Sequence, residues 1–192
     1  MMTNPLFKDL RLQHPKFFQA VAADARTTLA YRAEPDNTQS KIRLVIDIVR
    51  LTWVSDAFLA QILYRAKARL QRFRVPILPT ILHRLAMMHS QICIGNPVII
   101  EPGIYIPHGQ VVIDGFTRIG SDVVISPWVT VGLIAGNFQG PIISNGVHIG
   151  TGAKIIGPIT IGEAAVIGAN AVVVKDVPSH RTVIGIPAEE LK

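Results

Sequence analysis

The chain has 192 residues, of which 49% are hydrophobic and 17% charged, and it carries a formal net charge of +6. That balance excludes a disordered tail, while the positive charge suits an anionic partner such as a nucleic acid, a membrane surface or a phosphorylated cofactor. The single cysteine, Cys93, excludes an intrachain disulfide framework, and residues 1–30 lack the charged start, apolar run and small-residue cleavage site of a signal peptide, so the expected compartment is the reducing cytoplasm.

Apolar residues first recur at helical spacing, at Phe17 and Val21 and then at Leu44, Ile48, Leu51, Val54, Leu59 and Ile62. This spacing predicts two helices, roughly 16–33 and 39–73. Pro35, Asp36 and Asn37 punctuate the gap, and Pro76 and Pro79 lead to a short helical turn over 81–88. Asp47, Arg50 and Asp56 interrupt the most apolar stretch before it reaches the roughly 20 residues of a membrane span. Arg65, Lys67, Arg69, Arg72 and Arg74 read as a solvated basic face or a route for anions; no aromatic residue interleaves them, so no nucleic-acid partner is expected.

Past Gln91 the period changes. Ile143, Ile149, Ile155, Ile161, Ile167 and Val173 stand six apart, and the same register runs back through Val131, Ile125, Ile119 and Ile113, then after one seven-residue step through Ile106, Ile100 and Ile94. Small or apolar residues follow four positions later, as at Val147, Ala153, Ala165 and Ala171, and glycine often comes next, as at Gly120, Gly150, Gly162 and Gly168. A six-residue spacing turns an α-helix by about 240° per step and builds no continuous face. Each hexad therefore reads as a strand and a corner, three hexads close a triangular coil, and stacked coils pair strands about 4.8 Å apart. Glycine and asparagine are expected at corners for their backbone freedom. The fold expected is a mainly β solenoid, a parallel β-helix over 91–192, behind an α-helical region over 1–90.

Function in a solenoid gathers where the repeat is broken, because an inserted residue re-aims side chains that the ladder otherwise fixes. One break is the seven-residue step, which holds Pro107 and His108; the other is the twelve-residue step from Val131 to Ile143, expected to leave the coil as a loop over 132–141.

The run His108-Gly-Gln-Val-Val-Ile, the Val-Thr-Val-Gly at 129–132, the Gly-Thr-Gly-Ala-Lys-Ile-Ile-Gly at 150–157, the ending Ile-Gly-Ala-Asn-Ala-Val-Val-Val-Lys-Asp-Val-Pro and the Gly-Ile-Pro-Ala at 185–188 resemble serine acetyltransferases and their relatives that acetylate sugars. The resemblance implies a left-handed β-helix, a homotrimer or dimer of trimers, and direct acetyl transfer from acetyl-CoA to the hydroxyl of a small molecule or sugar, with no metal and no membrane span. It makes His108 the general base, a role that suits a side chain titrating near neutrality. It also implies acetyl-CoA contacts at Gly132, Leu133, Thr151, Ala169 and Lys175. On the acceptor side the chain departs from the serine enzymes. Cys93 stands where they carry a carboxylate, Pro107 where they carry Asp, and Gln139-Gly140 where they carry Arg-His. Pro107, Gln139 and Gly140 are thus the expected acceptor-side positions, with Glu34 or Asp36 as a distant substitute acid.

Serine O-acetyltransfer proper is the alternative. A γ-carbonic-anhydrase-like zinc site needs three convergent histidines, whereas only His108 and His148 lie on the regular coils; His148 reads as a hydrogen-bonded surface residue. An inactive trimeric scaffold is the third reading. Cys93, next to inward Ile94, reads as a small packed hydrophobe.

Overall fold

A computed structural model describes residues 10–35 and 40–191; Asp36 and Asn37 lie outside them. Among the described residues, after a helical turn at 10–12, come four helices: α1 (Phe17–Tyr31), α2 (Lys41–Val54), α3 (Phe58–Arg72) and α4 (Leu78–Ser90). The helix expected over 39–73 is thus two, broken at 55–57, where Ser55 is extended with φ −114° and ψ 123°. Serine and aspartate side chains compete for backbone partners in a helix interior, which makes Ser55-Asp56 a weak point. The expected short turn over 81–88 is a full helix, because Pro79 stands in its first turn, where proline initiates rather than breaks.

The remainder coils into three parallel sheets, with strands numbered in chain order. The first face stacks β1 (Ile92–Ile94), β3 (Val111–Ile113), β6 (Thr130–Gly132), β9 (Lys154–Ile156) and β12 (Val172–Val173). The second stacks β2 (Ile99–Ile100), β4 (Phe116–Ile119), β7 (Gln139–Ile143) and β10 (Thr160–Ile161). The third stacks β5 (Val124–Ile125), β8 (His148–Ile149), β11 (Val166–Ile167) and β13 (Thr182–Ile184), closed by antiparallel β14 (Glu189–Glu190). The register keeps like residues in line, with Ile94 opposite Ile113, Ile113 opposite Val131, Val131 opposite Ile155 and Ile155 opposite Val173. Every aliphatic residue of the six-residue series, from Ile94 to Val173, is no more than 2% exposed; the repeat is the core.

Corner chemistry meets the expectation only in part. Gln91, Gln110, Trp128, Gly152 and Asn170, each entering the first face, all adopt positive φ, between 54° and 76°, so one left-handed residue recurs at this corner and four of the five are not glycine. The glycines after the aliphatic residues answer to space instead. A Cβ at Gly150 would lie 2.7 Å from the Ala169 nitrogen, and one at Gly162 2.4 Å from that of Ser179; the coils stack too closely for a side chain there.

A solenoid needs its ends closed, and the helices close the first coil. Ala57, Ala60, Tyr64 and Ala86 join the coil residues in one core. Higher up, the carbonyls of Ile113 and Ile119 accept from Gly95 and Glu101 of the coil beneath. Ile94 and Ile100 hold the same positions in the first coil and have no coil below. Lys67 donates to the Ile94 carbonyl, and Arg65 to those of Ile100 and Glu101. Arg65 also forms a buried pair with Asp24 of α1, at 2.9 Å, and the Asp24 Oδ1 accepts from the nitrogens of Gly103 and Ile104. Arg65 and Lys67 are therefore not a solvated face; only 3% and 2% exposed, they stand in for a missing coil. Burial lowers the Lys67 pKa to about 8. Among the described residues no helix is long and apolar enough to cross a membrane.

Candidate active site

The extra residue of the seven-residue step lies in the corner between Ile106 and β3. It projects His108 from the solenoid, with 61% of its side chain exposed. Gly109 follows because the backbone passes directly over Ser90: a Cβ there would fall 1.7 Å from the Ser90 carbonyl oxygen. That oxygen accepts from the Gln110 nitrogen at 3.0 Å, while the Ser90 hydroxyl donates to the Asp56 carbonyl at 2.5 Å. Ser90 thereby holds the helix break at 55–57 against the His108 corner.

The consequence is a contact that sequence reasoning missed. Asp56 Oδ2 lies 2.7 Å from His108 Nδ1. The sequence marked Asp56 only as a charge interrupting an apolar stretch; a polar residue set in that stretch at a Ser-Asp step was the available signal. Glu34, expected as a distant substitute acid, is instead engaged by Arg50 and Arg32, whose hydrogen bonds hold its carboxyl below the usual range. Asp56, His108, Ser90, Gln91, Pro127 and the exposed Trp128 line an open cleft of about 410 Å³.

The other expected positions divide. Thr151 and Ala169 stand on the same corner ridge as His108 and Trp128, where Gly152 donates to the Pro127 carbonyl and Asn170 to that of Thr151. Gly132 lies at the far edge of the first face, opposite Ile156, with Leu133 next to it; Lys175, just beyond β12, is exposed. Pro107 is half-buried beside His108. Gln139 and Gly140 are not at this cleft. The loop expected over 132–141 closes earlier, and both residues belong to β7, where Gln139 pairs with Phe116 across a bulge and a Cβ on Gly140 would strike the Thr117 hydroxyl. They line a separate groove with Phe116 and Arg118.

Cys93, opposite Val112 on the first face, has its thiol pKa raised by burial and by Asp114, against a lowering by Lys67; it is no activated nucleophile. His148 accepts or donates a 3.0 Å bond with the Tyr31 hydroxyl, and Tyr31 stacks on Tyr105. The two coil histidines thus have different partners, and among the described residues no group of three His, Cys, Asp or Glu is placed to hold a metal.

A scan against protein-family models finds no match. Serine acetyltransferase of Helicobacter pylori is 38% identical over 136 residues, which is 69% of this chain and 79% of that protein. The chain belongs to the serine acetyltransferase family. The serine acetyltransferase of Synechococcus elongatus is 39% identical over 134 residues, 68% of this chain, and this chain spans about half of it, 54%. A solved serine acetyltransferase in complex with CoA superposes with a TM-score of 0.75 at 27% identity, over 97% of this chain and 74% of that one. Like the serine acetyltransferases, then, the solenoid is a left-handed parallel β-helix.

Proposed function

We propose that this chain is an acetyl-CoA-dependent O-acetyltransferase in which His108 takes the proton of the acceptor hydroxyl as its oxygen attacks the thioester carbonyl. The observation that supports this most is the placement of His108: at the seven-residue step of the solenoid, exposed in a cleft, in a chain of this family. An alcohol is a poor nucleophile until a base accepts its proton in the transition state. The C–O bond forms as the C–S bond breaks, and CoA leaves as the thiol. In this reading Thr151 and Ala169 on the ridge, with Gly132, Leu133 and Lys175 across the first face, contact acetyl-CoA; small residues admit the pantetheine arm and Lys175 meets a phosphate.

Serine is the acceptor that the relatives' names favour. A neutral hydroxyl compound such as a sugar is the second reading, favoured because Pro107 beside His108 and Trp128 at the cleft carry no charge, and Gln139-Gly140 none in their groove. The reading also includes a homotrimer or dimer of trimers, sharing the donor groove between neighbours, in the cytoplasm. Free-thiol release from acetyl-CoA with serine, homoserine and a sugar panel is the test. Serine-dependent release supports the first acceptor and a preference for sugars the second; no release with any hydroxyl compound overturns the function and favours the inactive scaffold. A stable monomer by solution mass measurement overturns the shared groove.

A further inference from the structure

The contact between α-helical region and solenoid at Asp56 bears on which ring nitrogen of His108 is basic. An ionised carboxylate only accepts hydrogen bonds. At 2.7 Å from Asp56 Oδ2, Nδ1 of a neutral His108 must therefore carry the ring hydrogen, which leaves the lone pair on Nε2. Without such a partner an imidazole divides between two tautomers, and only one of them presents a base at a given nitrogen.

The pair is not there for stability. The Asp56 side chain is 70% exposed and that of His108 61%, and an exposed pair of this kind contributes little to folding. Yet its geometry is built. The break at 55–57 ends α2 and brings Asp56 to the surface of the coil; the Ser90 hydroxyl fixes the Asp56 carbonyl, and the Ser90 carbonyl fixes Gln110, two residues past His108. One residue at the end of α4 thus sets the position of both partners, and Gly109 is the residue that allows the close passage. Cys93, at the solenoid position where the resembled enzymes carry a carboxylate, offers none, and burial pushes its thiol toward the neutral form.

We infer that Asp56 is the positioning residue of the active site: its carboxylate, delivered by the junction of α2 and α3, holds His108 as the Nδ1–H tautomer and aims Nε2 at the acceptor hydroxyl. The inference rests on the proposed role of His108. It makes the helical region part of the catalytic apparatus and not only the lid of the first coil. During transfer the acceptor proton goes to Nε2, and the Asp56 charge stabilises the resulting imidazolium until that proton passes to the departing CoA sulfur.

The test uses the full chain labelled with ¹⁵N-histidine and compares wild type, Asp56→Ala, Asp56→Asn and His108→Ala. Long-range ¹H–¹⁵N correlation should show His108, identified by its loss in His108→Ala, with the hydrogen on Nδ1 in wild type and redistributed toward Nε2 in Asp56→Ala. Turnover in the Asp56 variants should fall roughly 10- to 100-fold, part of the 10² to 10⁴ that a positioned base contributes, with the KM for acetyl-CoA moving less than threefold. A merely structural residue would not move the tautomer. If His108→Ala abolishes turnover while both Asp56 variants stay within twofold of wild type with the tautomer unchanged, the inference is overturned and the function stands. If His108→Ala remains active, the proposed function fails, and a tautomer that ignores Asp56 overturns the inference as well.

Discussion

Gly109 passes so near Ser90 that a Cβ added to it would sit 1.7 Å from the Ser90 carbonyl oxygen. Its φ is not in the left-handed region, so the requirement is for space alone. Gly109→Ala must push the corner away from α4, losing the Gln110–Ser90 bond and separating His108 from Asp56. Overpacking of this kind destabilises by about 1–3 kcal/mol. The expected outcome is a lower urea midpoint together with turnover reduced at least as far as in the Asp56 variants, both measured on the same preparation.

His108→Ala should lower kcat by roughly 10² to 10⁴, because in the proposed reaction His108 acts on the acceptor proton, and leave acetyl-CoA binding nearly unchanged. Cys93→Ser is the companion control. Its thiol is pushed up by burial and faces no part in proton transfer, so most activity should remain. Steady-state kinetics with binding by calorimetry separates these effects; activity of His108→Ala within a few-fold of wild type would remove it from the mechanism.

Asp24 and Arg65 form a pair in which both side chains are nearly inaccessible, 2% and 3% exposed, and together they satisfy two backbone nitrogens and two carbonyls of the first coil. Removing one partner leaves the other charged, buried and unpaired. Asp24→Ala or Arg65→Met is expected to destabilise by about 3–5 kcal/mol, with loss of protection from hydrogen exchange starting at Gly103 and Ile104. Equilibrium unfolding that differs from wild type by less than 1 kcal/mol would show that the first coil closes without the clamp.

His14 should give the protein an acid-sensitive limb. Burial, then the charges of Arg65 and Lys67, lower its pKa from 6.5 to about 4, and its Nδ1 has no hydrogen-bond partner. As the pH falls from 6.5 to 4 the unfolded chain binds a proton at this position and the folded chain does not, so stability declines across that window and levels off below it. The loss is about 3 kcal/mol. His14→Phe, which keeps a ring against Tyr64, should flatten the dependence of Tm on pH between those limits; an unchanged slope would assign the acid sensitivity to other groups.

The six-residue period determined the solenoid on its own. A residue that recurs at one place in every hexad must meet its equivalents in the coils above and below, so the sequence alone marks the series from Ile94 to Val173 as core. The same logic located His108, because one extra residue in a strict repeat has nowhere to go but out of the coil. Local sequence failed where the answer depended on a partner far along the chain. Arg65 and Lys67 carry the pattern of a wet helix face, and only the unpaired carbonyls of Ile94 and Ile100 in the first coil draw them inside. Gln139 and Gly140 read as loop because the step that holds them is long, yet pairing with Phe116 makes them strand. Asp56 is fifty-two positions from His108. No period connects the two; the tertiary structure decided that contact, because a broken helix, the end of another and a widened corner meet at Ser90, and hydrogen bonds at that junction fix where a carboxylate stands.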